Sequence, residues 1–211
     1  MEKEPKFRNI IFDIDGTLID TEQTGVLSLI QTVKELMDRD MSYEEGYSSF
    51  GIPSIKVGAL LGYADTERFA HVWEEHFIEL EHLMKAFPGV EDMLAKLSGA
   101  GCRIGCVTSR NRFEFDKDVE LKPLRQYFEL EICAEDTLRH KPDPEPALEF
   151  LRRSRAEAAD TIFIGDTMHD FQCASGAGLK FMLADWRSRG LQSIPADYLA
   201  HDAGEMLAQL L

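Results

Sequence analysis

NIIFDIDGTLIDTE, residues Asn9 to Glu22, is the stretch from which the rest of the chain can be read. Ile10, Ile11, Phe12 and Ile14 make an apolar run without strict alternation, the pattern of a strand covered on both faces in a parallel sheet. That strand is expected over Asn9 to Ile14. Asp13 and Asp15 stand where it gives out. Side chains two residues apart on an extended backbone point to the same side, so both carboxylates face one region. Gly16 and Thr17 then let the chain turn sharply away.

Beyond this turn the period changes. Asp20 with Gln23 reads as a capping box ahead of Val26, Leu29, Ile30, Val33 and Leu36 at helical spacing. Ser42 with Glu45 is a second box, and Ser54 is placed as the cap of a short helix that Gly62 ends. A longer helix is expected from Asp65 to Met84, with Phe69, Val72, Trp73, His76, Phe77, Leu80 and Leu83 as its apolar stripe. Residues 18–84 thus read as helices with no strand between them.

From residue 85 strands and helices alternate. Pro88-Gly89 opens a helix that Gly99 and Gly101 end. CRIGCVTS, FELEICAE, TIFIGDT, KFMLAD and ADYLA read as strands, PEPALEFLRRSR and HDFQCASGAG as helices, and Asp202 with Glu205 caps a terminal helix. The expected class is α/β: a Rossmann-like parallel sheet with helices on both faces, built from residues 1–17 and 85–211 and interrupted by an all-helical insert, residues 18–84.

The bulk numbers set limits on function. A chain of 211 residues suits one generous domain or a core with a smaller insert. No apolar run reaches the length of a bilayer span, and the first residues carry no secretory signal pattern, so the expected location is cytoplasmic. Net charge is −15, which argues against nucleic acid and anionic membrane as partners. A monomer is the default expectation. Cys102, Cys106, Cys133 and Cys173 form no CxxC pair, and they read as small buried hydrophobes rather than as a zinc site or disulfides.

In open parallel sheets ligands bind beyond the carboxyl ends of the strands. Those ends carry Asp13 and Asp15, then Thr108 and Ser109, then a loop with Lys141, then Asp166 and Asp170. Clustered carboxylates repel unless a cation holds them together, and an oxygen-rich set suits Mg²⁺. The Thr108 hydroxyl, nearby backbone N–H groups and the Lys141 ammonium suit phosphoryl oxygens. One carboxylate of the first pair attacks phosphorus and its neighbour shuttles protons.

With these residues in place, the chain resembles the haloacid dehalogenase-like hydrolase superfamily, in the branch of phosphoglycolate phosphatases and β-phosphoglucomutases. The resemblance rests on Asp13-Ile14-Asp15-Gly16-Thr17, on Val107-Thr108-Ser109, on Lys141-Pro142-Asp143-Pro144 and on Gly165-Asp166 through Asp170, in that order. It implies a Mg²⁺-dependent phosphohydrolase of a small phosphorylated metabolite such as phosphoglycolate, pyrophosphate or a sugar phosphate. Asp13 would be nucleophile and metal ligand. Asp15 would be general acid/base, with its backbone carbonyl on the metal. Thr108 and Lys141 would hold the phosphoryl group with help from Ser109. Asp166 would complete the metal shell, and Asp170 would be a further ligand or a partner orienting Lys141. The insert would be a helical cap, with Gly51, Pro53, Ser54 and Lys56 in its specificity loop.

Other readings stand beside this one. DIDG at Asp13 could open a calcium loop, but the fifth and twelfth positions are Thr17 and Thr24, not ligands of that motif. A phosphoryl-transferring mutase uses the same first aspartates, and a silent phosphate-binding regulator would keep the fold without the chemistry. Arg110 and Arg112 meet an anionic leaving group or face solvent. His140 and His169 touch substrate or are solvated loop histidines.

Overall fold

The computed structural model describes residues 5–49, 52, 54–187 and 193–211. The chain divides into two compact units, residues 1–19 with 86–211 and residues 20–85.

The larger unit is a six-stranded sheet in the order β5-β4-β1-β6-β7-β8. The strands are β1 (Asn9–Phe12), β4 (Arg103–Val107), β5 (Phe128–Ile132), β6 (Thr161–Gly165), β7 (Lys180–Ala184) and β8 (Tyr198–Ala200). Each pairs in parallel with its neighbours. All four residues of β1 are buried, as the unbroken apolar run requires of a central strand. Ile11, Phe163 and Phe181 belong to one hydrophobic cluster with Ala147 and Phe150 of α7 (Glu145–Ser154) and Cys173 and Ala174 of α8 (Met168–Gly176). Ile10 and Phe12, fully buried, alternate to the opposite face of the strand. There α5 (Val90–Gly99) and α9 (Ala203–Leu210) pack on each other, α5 also on β4 and α9 on β8.

The chain runs from β1 outward through β4 to β5, then crosses back to β6 on the other side of β1. The carboxyl ends of β1, β4 and β6 therefore meet at the point where strand order reverses, the usual crevice of an open α/β sheet.

The smaller unit is helical: α1 (Glu22–Met37), α2 (Tyr43–Tyr47), α3 (Ser54–Leu60) and α4 (Thr66–Glu79). Leu29, Val33, Met41, Val57 and Phe69 form its core. Trp73 meets Phe69 edge-on at 6.2 Å, and its indole N–H donates to Ser28 Oγ at 2.8 Å. Of the aromatic stripe of α4, Phe69 is thus core and Trp73 packs against it. His76 is not apolar filling: its ring nitrogens lie 2.9 Å from a Glu35 carboxylate oxygen and 3.3 Å from one of Glu79.

Several local expectations are corrected. β1 ends at Phe12, because Ile14 leaves the ladder and its carbonyl accepts the N–H groups of Leu18 and Ile19 in the following turn. Asp20 does not cap α1. It lies in the short strand β2 (Ile19–Asp20), which pairs with β3 (Lys85–Ala86), and its carboxylate accepts from Glu22 N at 3.3 Å. The insert is therefore not free of strands. Ser54 is the first residue of α3 rather than a cap before it. The long helix stops at Glu79, followed by a 3-10 turn over Glu81–Leu83. The Ser42–Glu45 box forms, and Asp202 caps α9 by accepting from Glu205 N. A short helix, α6 (Arg112–Lys117), follows the second motif, opened by an Asn111–Glu114 capping box. No described helix is long and apolar enough to cross a membrane.

Gly105 marks the closest approach inside the sheet. A methyl group there would lie 2.4 Å from the Leu130 carbonyl oxygen and 2.4 Å from the Phe150 ring, beside an irregularity in the β4–β5 register. Neither a backbone oxygen nor a buried ring yields easily. Gly105→Ala is expected to cost about 1–3 kcal/mol of stability. It should appear as a lower midpoint in urea unfolding with an unchanged slope.

Candidate active site

The turn after β1 is set by Gly16. Its φ is +76°, and a methyl group there would lie 2.2 Å from Asp166 Oδ2. Only glycine lets the backbone of the first motif pass so close to the carboxylate of the fourth. Thr17, fully buried, sits against the same carboxylate, its Oγ1 3.4 Å from Asp166 Oδ1.

Asp13, Asp166 and Asp170 each present a carboxylate oxygen within 4.8 Å of the others. Lys141 reaches into this cluster from the loop before α7. Its Nζ donates to Asp13 Oδ1 at 2.6 Å and to Asp170 Oδ1 at 2.7 Å. All three of these side chains are nearly sealed from solvent: 7% exposed for Lys141 and Asp13, 0% for Asp170. Asp170 is held further by α8. Its Oδ2 accepts from Thr167 Oγ1 at 2.5 Å and from Thr167 N at 3.1 Å, while Asp170 N donates back to Thr167 Oγ1. This is a capping box whose carboxylate has a second duty toward Lys141.

Electrostatics follow from this crowding. Burial, then repulsion from Asp170, pushes Asp13 up to about 7 despite Lys141 beside it. Burial, with repulsion from Asp170 and Asp13, pushes Asp166 well above the carboxylate range. Burial opposes the charge on Lys141, but Asp13 and Asp170 outweigh it and hold the ammonium above its ordinary value. One cation does not balance three crowded carboxylates. The donor set, all carboxylate oxygen, fits a hard divalent cation such as Mg²⁺, which would reverse the repulsion.

Thr108 lies at the end of β4, buried, with its N–H on Ile132 O at 3.0 Å. Its Oγ1 accepts from Arg110 N at 3.1 Å, which fixes the loop that follows. Ser109 beside it is exposed.

Asp15 does not join the three-carboxylate group. Arg110 takes it: Nε donates to Asp15 Oδ2 at 2.9 Å and Nη2 to Oδ1 at 2.6 Å. The third arm of the guanidinium donates to Asp118 Oδ2 at 2.5 Å. Arg112 turns elsewhere, to Glu131 at 2.8 Å and Asp136 at 3.0 Å. The two arginines read together in the sequence thus part company.

The remaining candidates are placed as follows. Ser54 is half-buried and Lys56 exposed, both in α3 of the smaller unit. Gly51 and Pro53 lie outside the described residues. His140 is exposed, and His169 is half-buried in the first turn of α8. The four cysteines are free thiols in the core, and burial pushes Cys133 up to about 12 and Cys173 to about 11. Sequence reasoning missed Thr17, Thr167 and Asp118. The S/T-x-x-D spacing of Thr167 and Asp170 was a usable signal, whereas nothing in the sequence marked Asp118.

With this geometry in view, comparison with known proteins is informative. Residues 10–184 match the family model described as haloacid dehalogenase-like hydrolase. A pyrophosphatase named PpaX from Oceanobacillus iheyensis is 28% identical over 204 residues, spanning 95% of each chain. A haloacid dehalogenase-like family hydrolase from Streptococcus pneumoniae superposes with a TM-score of 0.86 at 20% identity, over 98% of this chain and 99% of that one. CbbY from Rhodobacter sphaeroides, solved in complex with phosphate, superposes with a TM-score of 0.78 at 22% identity, over 97% and 99%. The matched span covers all four strand-end motifs and the insert between the first two, and on that match the chain belongs to the haloacid dehalogenase-like hydrolases.

Proposed function

We propose that this hydrolase is a Mg²⁺-dependent phosphohydrolase of a small phosphorylated molecule, working through Asp13. One observation carries the reading: a cluster of three aspartates, Asp13 and Asp170 buried and Asp166 half-buried, with a lysine ammonium between Asp13 and Asp170, beyond the carboxyl ends of β1 and β6. Such a site disfavours its own charges until a divalent cation and a phosphoryl group share it. The name of the PpaX relative makes pyrophosphate a natural first substrate to try.

In this reading Asp13, Asp166 and the Asp15 backbone carbonyl hold Mg²⁺, which supplies charge neutralisation at the phosphoryl oxygens. Lys141 and the Thr108 hydroxyl grip those oxygens, with Ser109 at the rim. Asp170 orients Lys141, the role its 2.7 Å contact and its anchoring to α8 favour. An Asp13 oxygen bonds to phosphorus while the bond from phosphorus to the leaving oxygen breaks. Asp15 gives that oxygen a proton. Water then attacks the aspartyl-phosphate, Asp15 takes a proton from it, and Asp13 is freed as inorganic phosphate leaves. Residues 18–84 are the cap domain of this reading, and Gly51, Pro53, Ser54 and Lys56 are its candidates for substrate specificity. Four buried free thiols suit a reducing compartment such as the cytoplasm.

Asp13→Asn keeps the size of the side chain but removes the nucleophile. Phosphate release from pyrophosphate, 2-phosphoglycolate or a sugar phosphate is expected to fall by about 10³-fold or more. Circular dichroism should show the fold retained. An Asp13→Asn protein as active as wild type would rule out the proposed chemistry.

Mg²⁺ binding to the folded protein alone should raise the melting temperature. Chelator should abolish both this shift and phosphate release, and Mg²⁺ should restore them. Asp166→Asn is expected to lose most of the thermal shift, which a calorimetric scan at several Mg²⁺ concentrations would show.

A further inference from the structure

Asp15 and Asp118 both pair with Arg110, and they are not alike. Asp118 is a fixed partner. Its side chain is 1% exposed, and its second oxygen accepts the N–H groups of Glu120 at 2.8 Å and Leu121 at 3.0 Å. It cannot leave without breaking the turn after α6. Asp15 is the open partner, with 36% of its side chain exposed. The guanidinium between them is only 10% exposed and is anchored through its backbone to Thr108. A buried guanidinium demands anions, and its planar fork matches carboxylate and phosphate oxygens alike. An oxyanion brought by a ligand can replace the Asp15 carboxylate on Arg110, so that the guanidinium keeps two anionic partners while Asp15, the more exposed one, turns to solvent or to the ligand. Asp118 would stay in place throughout.

We propose that Arg110 is a specificity residue that exchanges Asp15 for a second oxyanion on the leaving group of the substrate. This rests on the phosphohydrolase reading above and narrows its substrate class to compounds whose leaving group carries another phosphoryl or a carboxylate. In the ligand-free arrangement the fork occupies both Asp15 oxygens. A leaving group with its own oxyanion takes the fork and frees those oxygens to meet the bridging oxygen. A neutral leaving group has nothing to offer Arg110 and leaves Asp15 engaged. The same contact that binds the substrate thereby releases the group that must serve it.

The test compares kcat/KM for pyrophosphate and 2-phosphoglycolate, which carry the second oxyanion, with that for glycerol 3-phosphate, which does not. Wild type should favour the first two by at least about tenfold. Arg110→Lys keeps a cation beside Asp118 but loses the fork, and the preference should shrink at least about tenfold. Arg110→Gln should remove it. Melting temperatures report whether each variant folds. A second readout needs no turnover: in the Asp13→Asn background, pyrophosphate binding by calorimetry should weaken with Arg110→Lys, and glycerol 3-phosphate binding should not. If wild type shows no preference, or if the variants slow all three substrates equally, Arg110 is a structural ion-pair residue and the proposal is overturned. If wild type releases no phosphate from any of them, the phosphohydrolase reading fails first and takes this proposal with it.

Discussion

The Lys141 ammonium lies 2.6 Å from Asp13 and 2.7 Å from Asp170, in a part of the protein almost closed to water. A charge taken out of water is costly unless it is paired, and three carboxylates brought together make the cost larger. The local structure serves this one group. β1 and β6 run side by side so that Asp13 and Asp166 end at the same level. Gly16 makes room for Asp166 where any other residue would collide with it. Thr167 and the start of α8 hold Asp170 at the far side of the ammonium. If Lys141 were lost, Asp13 and Asp170 would lose the cation that lies between them.

This explains why the sheet must be built as it is. A parallel strand buried on both faces has no soft side, so the residue at its end cannot drift. Placing the aspartates at the ends of such strands moves the cost of their repulsion into the core, where Phe12, Phe163 and their neighbours resist deformation. In the proposed function this rigidity would prepare the site for a cation and a phosphoryl group before either arrives.

What the sequence displayed and what it hid divide along a physical line. The strand ends were legible because short apolar runs and the residues that stop them are local features: Asp13, Thr108, Lys141 and Asp166 could each be found without knowing the others' positions. The alternation of strands and helices after the helical insert followed from the change of period at Leu18 and again near Pro88, whereas the order of the strands in the sheet did not. What stayed hidden was decided at long range. Ile14 belongs to the turn and not the strand because its carbonyl serves Leu18 and Ile19. Asp20 lies in a strand because a partner returns from Lys85–Ala86, sixty-odd residues later. Arg110 and Arg112 are two residues apart, yet one faces Asp15 and the other Glu131 and Asp136. Residue type alone does not separate them.

The acidity of the chain gains a local meaning from this arrangement. With a net charge of −15, the protein as a whole repels a phosphorylated ligand. Screening at physiological salt confines that repulsion to about 8 Å, so the immediate surroundings of the site decide whether the ligand is held. There Asp13, Asp15, Asp118, Asp166 and Asp170 face Lys141 and Arg110. In the proposed function a divalent cation would move this balance toward neutrality and bind phosphoryl oxygens directly, leaving the rest of the ligand to the protein's own donors. The attraction must come from donors aimed at particular oxygens, and each cation in the site already has a carboxylate on it. On the proposal for Arg110, an oxyanion that binds there does so by exchange with Asp15. The Asp15 carboxylate is then a placeholder as well as a reagent, and the incoming oxyanion is measured against it.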